Sequence, residues 1–245
     1  MNLSDLSGMG FDVDTRNHAE AILVRDFPVP LGELCDALAT FTIDDVELIR
    51  SGGGEAASTQ RLRHALAAQG WPKRNIEIQK LIDGEERGST THEIDHVRKT
   101  SAGSIALEIE WNNKDPFYDR DLENFQRLHV EGAISVGVIV TRGASLQEQL
   151  GNIVHRAAIR YEWQGFEDLE QFGLTPTLRQ RTIVNSQIKK GRDFADAWAR
   201  VFVADKFGTA TTHWDKLKQR LERGVGNPCP LLLIGLPANI IIPNT

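Results

Sequence analysis

Glu93-Ile-Asp-His-Val-Arg-Lys-Thr-Ser-Ala-Gly-Ser-Ile-Ala-Leu-Glu-Ile-Glu110 is the stretch on which the fold turns. Its second half alternates: Ile105, Leu107 and Ile109 take one face, Glu108 and Glu110 the other. Side chains two apart on a strand share a face, so the two glutamates project together. Upstream, 91–97 alternates less cleanly and places Asp95 near the middle of a strand, and 75–82 begins with the same period. Asp83-Gly84 and Ala102-Gly103 occupy the turn positions between these runs. The three runs predict an antiparallel meander.

Downstream, 119–130 has helical spacing, with Leu122, Phe125, Leu128 and His129 on one side. The run 133–140 is almost continuously apolar, as expected for a strand buried on both faces. Helices follow at 145–161, 193–206 and 213–223, and a late strand at 230–236. Upstream of the meander, helices are expected at 31–39, 44–49 and 55–69; Gly70 and Pro72 end the last. The expected class is α/β, a mixed central sheet between helices. No clean linker interrupts 1–245, so the chain reads as one domain: an acidic helical part at about 1–70, a sheet at about 75–141 and a basic part at about 176–236.

The chain has 245 residues, 40% hydrophobic and 25% charged, which excludes a disordered or low-complexity chain. Its apolar runs fall far short of the roughly 20 residues that span a bilayer. The N-terminus shows no signal-peptide pattern. Two cysteines, Cys35 and Cys229, make neither a disulfide framework nor a zinc site, and a reducing cytoplasm is the expected compartment. The net charge of −6 is unevenly spread: residues 1–60 hold 11 acids and 3 bases, whereas 176–223 hold 11 bases and 5 acids. A basic part beside an acidic one suits a polyanion, although solvated helix faces give the same pattern.

Asp95, Glu108 and Glu110 on one patch would repel one another unless a cation sat among them. Mg²⁺ suits oxygen donors and is often held by one or two carboxylates plus a substrate phosphate. Such an ion polarises and orients a phosphate, and a third carboxylate can help to activate water. An alternating Glu-Ile-Glu strand is also a common solvated surface. Asn112, Asn113 and Lys114 follow after Trp111 and offer donors and acceptors for DNA; the same stretch also reads as a polar turn with Asp115 or Asp119 capping the next helix.

At this point the segment resembles a known family. Asp95…Glu108-Ile-Glu110 is similar to the PD-(D/E)xK nuclease motif, in the variant with glutamate in place of lysine; Ile94 stands where that motif has proline. Trp111-Asn-Asn-Lys-Asp115, the helix at 119–125 and Ile134-Ser-Val-Gly-Val-Ile-Val-Thr-Arg142 resemble the BglII/BamHI group of type II restriction endonucleases. Gly208-Thr-Ala-Thr-Thr-His-Trp-Asp-Lys-Leu217 and Cys229-Pro-Leu-Leu-Leu-Ile-Gly235 resemble its C-terminal half.

The resemblance implies a PD-(D/E)xK restriction-endonuclease-like core. It implies a homodimer around double-stranded DNA that cuts a short palindrome with Mg²⁺, in a bacterial or archaeal host that also carries a cognate DNA methyltransferase. Asp95 and Glu108 would bind metal, Glu110 would orient or activate water, Asn113 would read a base, and Glu55 is the candidate for an acid on the preceding helix. DNA contacts are sought at Lys189, Lys190, Arg192, Thr211, Thr212, His213 and Lys216. Ser and Thr hydroxyls commonly bind phosphate and Arg reads guanine, but 216–223 also reads as a solvated helix face. His92 and His96 flank Asp95; the oxygen-rich set argues for Mg²⁺ over zinc, with His96 keeping zinc open.

Three other readings fit the same residues. One is a nuclease of this fold with little sequence preference, in repair or transposition. Another is a DNA-binding protein whose carboxylates are structural. The last is a glycosidase using Glu108 with Asp95, disfavoured by few aromatics for stacking sugars.

Overall fold

The computed structural model describes residues 1–50 and 56–244. Glu55 therefore lies outside the described residues. The N-terminal elements are α1 (Leu3–Gly8), β1 (Asp12–Arg16), α2 (Ala19–Asp26), α3 (Pro28–Ala39), β2 (Ile43–Asp44), α4 (Asp45–Ile49) and α5 (Ala57–Ala68). Then come β3 (Arg74–Ile82), β4 (Glu85–Ile94), β5 (His96–Thr100), β6 (Gly103–Glu110), α6 (Phe117–Val130) and β7 (Val136–Arg142). The chain closes with α7 (Ala144–Arg160), α8 (Leu178–Ile188), α9 (Phe194–Lys206), α10 (Trp214–Glu222), β8 (Leu231–Leu236) and β9 (Ile241–Ile242).

Five strands form the central sheet in the order β1-β8-β7-β6-β5. The inner three run parallel and both edge strands run antiparallel to their neighbours. This is the mixed sheet between helices that the sequence predicts. β7 is buried along its whole length, as its apolar run requires. On one face Ile105, Leu107 and Ile109 join Val136, Val138 and Val140 in a core that includes residues of α3, α7 and α9. On the other, Ala106, Ile139, Leu231 and Leu233 pack with Tyr118, Leu122, Phe125 and Leu128 of α6 and Leu217 of α10. Glu108 and Glu110 belong to this second face by parity, so they point at α6 rather than at water.

The meander is corrected at one point. β3 and β4 form a separate antiparallel ribbon, in register from Arg74 opposite Ile94 to Ile82 opposite Glu85. Pairing within the large sheet starts afresh at β5. The cause lies just past Asp95. His96 Nδ1 bonds the carbonyl of Trp71 at 2.9 Å, and the N–H of Val97 donates to the carbonyl of Pro72 at 2.9 Å. These bonds capture the chain, and Asp95 sits at the bend between β4 and β5 instead of mid-strand. The strand expected at 133–140 also starts later, because Ala133 N–H caps α6 through Leu128 O and Ser135 N–H donates to Ser104 O.

Helix α6 crosses the sheet closely at Gly137. A Cβ built there would lie 2.5 Å from a Phe125 ring carbon and 3.0 Å from Leu231 Cδ2, whereas Gly88 in the ribbon has open space around it. Overpacking a filled core costs about 1–3 kcal/mol. Gly137→Ala is expected to lower the melting temperature by several degrees and Gly88→Ala to leave it nearly unchanged; thermal unfolding followed by circular dichroism checks both.

Candidate active site

The site begins where the ribbon ends. Asp95, half-buried at the bend, directs its backbone N–H to Glu108 Oε2 at 3.4 Å, and their side chains also hydrogen-bond. Glu108 is 4% exposed and Glu110 2% exposed. From the opposite side, α6 contributes Asp121, which is 1% exposed and hydrogen-bonded to Glu110. Four carboxylates thus stand as two touching pairs, Asp95 with Glu108 and Glu110 with Asp121.

Burial disfavours the charged form, and neighbouring carboxylates add to that. The Glu108 carboxyl is pushed up to about 10, first by burial, then by Asp95 and Asp121. Glu110 and Asp121 are both raised, chiefly by burial, and the bond between them favours the proton on Glu110. The cluster takes up protons when nothing else offsets its charge, and a divalent cation would replace them.

Asp121 escaped the sequence reading. Its signal was available: residues 118, 121, 122, 125 and 128 share the buried stripe of α6, and an aspartate on such a stripe is out of place unless partnered. Arg120 beside it places Nε and Nη2 2.8 and 2.7 Å from Asp121 Oδ1, with Nη2 3.6 Å from Glu110 Oε1.

The turn after β6 closes the site. Asn113 Nδ2 donates to Glu110 Oε2 at 2.8 Å. Its backbone is locked to the 208–213 loop, since Asn113 N–H donates to Thr212 Oγ1 and Thr212 N–H to Asn113 O, at 3.1 and 2.8 Å. A single bridge pairs exposed Lys114 with Thr211. Behind that loop lies Arg142, fully buried at the end of β7. Its Nη2 donates to Thr211 Oγ1 and Thr212 O, both at 2.6 Å, and its Nε to Thr212 O at 3.1 Å. On the same strand Thr141 Oγ1 donates to Glu110 O and meets Tyr118 OH. The far C-terminal loop is therefore bonded to the residue next to the glutamates.

The remaining sequence candidates are placed as follows. Thr212 and His213 are buried, and His213 Nδ1 bonds Thr211 O at 2.8 Å. Burial lowers the affinity of His213 for a proton. Lys216 lies on α10 and reaches Asp115 at 3.7 Å. Lys189, Lys190 and Arg192 are exposed after α8, where Arg192 pairs with Asp196 at 2.5 Å; none of them bonds to the carboxylate cluster. Asn112 turns away, into a cleft of about 480 Å³ with Leu174, Trp198 and Lys206. His92 Nδ1 bonds Asn124 Oδ1 at 3.0 Å, and His96 Nδ1 bonds the carbonyl of Trp71 at 2.9 Å.

Among the described residues, no group of three or more His, Cys, Asp or Glu side chains is arranged to hold a metal ion by itself. The Asp95–Glu108 pair is nonetheless a hard oxygen donor set whose charge lacks compensation, and Mg²⁺ needs no more than one or two protein carboxylates. The residues fit that ion.

The family model described as restriction endonuclease BglII/BglIII matches residues 11–236, which contain all of these residues. No curated protein matches the chain. The fold and the match define a type II restriction endonuclease, a hydrolase that binds double-stranded DNA. The chain belongs to the restriction endonuclease BglII/BglIII family. No helix among the described residues is long and apolar enough to cross a membrane.

The raised Glu108 carboxyl sets a pH dependence. In the unfolded chain a glutamate ionises near about 4.3. Between that value and about 10 the folded state binds more protons, so stability falls as pH rises. The EDTA-treated protein is expected to melt progressively lower from about pH 5 to pH 9, and Glu108→Gln to flatten that decline. Identical slopes for the two proteins would show that Glu108 is ionised in the fold.

Proposed function

We propose that the chain is one endonuclease domain that forms a homodimer and cuts both strands of DNA at a short palindromic site, with Mg²⁺. The observation that carries this reading is the contact between Asp95 and the buried Glu108, with Glu110 two residues further along the strand, in a chain of a restriction-endonuclease family. Asp95 and Glu108 would hold the ion by their carboxylate oxygens. When bound, Mg²⁺ polarises the phosphodiester and makes water more acidic.

In the charged form that a bound cation would favour, Glu110 takes a proton from the attacking water. Asn113 donates to its Oε2, so the group is oriented before substrate arrives. Exposed Asn113 and Lys114 stand beside it, on a turn held rigid by the 208–213 loop. We assign DNA contact to these two, to Lys216 and to the exposed Lys189, Lys190 and Arg192. Thr211, Thr212 and His213 act as the brace beneath them, because their polar atoms are largely engaged within the turn. A two-fold palindrome matches a two-fold dimer, and protection of the host genome calls for a methyltransferase that modifies the same site.

Glu108→Ala is expected to abolish Mg²⁺-dependent cleavage, at least about 100-fold, while gel-shift binding to DNA persists. Full cleavage by that variant removes the site assignment. In the same assays Asn113→Ala should weaken binding to the cleaved sequence far more than to unrelated DNA, whereas equal losses would make Asn113 a structural residue of the turn.

A further inference from the structure

We infer that Arg120 is a catalytic residue of this site, whose guanidinium donates to a non-bridging oxygen of the phosphate that is cut. This rests on the nuclease reading above and goes beyond it.

An anionic phosphodiester must approach a centre built from Asp95, Glu108, Glu110 and Asp121. One divalent cation does not cancel four carboxylates and a phosphate. Arg120 is the basic side chain that touches two of the four, lying 2.7 Å from Asp121 and 3.6 Å from Glu110. Its conformation is unusual for a helix surface. Residues i and i+1 do not ordinarily face each other there, yet Arg120 folds back on Asp121 through both Nε and Nη2. The Phe117 ring covers the guanidinium from the previous turn, 4.4 Å from Cζ to the centroid. Asp121 is itself 1% exposed, and both Arg120 contacts run to its Oδ1.

A buried carboxylate below and an aromatic ring beside it thus hold one edge of the guanidinium. The side chain nevertheless remains 54% exposed. A planar donor fixed along one edge and open along the other is preorganised for an oxyanion. It sits beside Glu110, where the water-activating group stands, so the phosphate oxygens that gain charge during attack fall within its reach.

The test uses the full-length protein and the bond that sequencing of the cut ends identifies. Binding in EDTA is measured for two duplexes, one native and one with an uncharged methylphosphonate at that bond. Arg120→Ala is expected to weaken binding to the native duplex by roughly tenfold and to leave binding to the methylphosphonate duplex unchanged. Single-turnover cleavage with Mg²⁺ should fall by about 100-fold, and Arg120→Lys should recover part of both losses. Equal loss on the two duplexes overturns the inference and makes Arg120 a support for Asp121. A changed sequence at the cut ends overturns it in favour of base reading. Should Arg120→Ala fail to fold, Arg120→Lys carries the same comparison, a native-duplex deficit supporting the inference and equal binding of both duplexes opposing it. Glu108→Ala runs alongside: if that variant still cuts, the site reading fails and this inference with it; if Glu108→Ala is dead and Arg120→Ala cuts normally, this inference alone fails.

Discussion

Two glutamates on one strand point into a space that water barely reaches, and the surrounding structure answers that constraint. Strand β6 delivers Glu108 and Glu110 on the face covered by α6 because Ile105, Leu107 and Ile109 claim the other face. Burying an isolated carboxylate is costly unless it is partnered or neutralised. Asp95 meets Glu108 at the bend of the chain, and Asp121 and Asn113 meet Glu110. These partners bring the ribbon, the helix and the following turn to one point. More acids are gathered there than protein cations offset, a state of use to a molecule that recruits a metal and less so to one that needs only stability.

The brace behind this point spans much of the chain. Arg142 is wholly buried and bonds to the loop at 211–212, and that loop fixes Asn113. An unpaired buried arginine is expensive, and burial pulls its pKa down to about 10. That cost purchases rigidity where the chain leaves the carboxylate strand. The same turn carries exposed Lys114. The Asn113 side-chain amide links that loop to Glu110 Oε2, and Thr141 holds the Glu110 carbonyl from the neighbouring strand.

Much of this was legible in the sequence. The alternation at 104–110 gives the glutamates their shared face, and the apolar run of β7 gives the buried strand beside them. The expected helices at 145–161, 193–206 and 213–223 differ from those observed by a residue or so at each end. What stayed hidden was set by contacts distant in sequence. The bend at Asp95 depends on carbonyls of Trp71 and Pro72, which no local pattern reveals. β1 is a half-buried edge strand, Asp12-Val-Asp-Thr-Arg16, whose partner β8 lies over 200 residues away. α8 buries little beyond Val184, so its periodicity is faint. Asp121 was readable as an acid on an apolar stripe, but its role requires the strand that it faces.

The most direct measurement is a digest of unmethylated phage DNA by the purified protein, with Mg²⁺ and with EDTA, resolved on a gel and followed by sequencing of the ends. The account predicts discrete fragments with Mg²⁺, none with EDTA, and ends that share one short palindrome. Undiminished cutting in EDTA, or a smear without common ends, would contradict it.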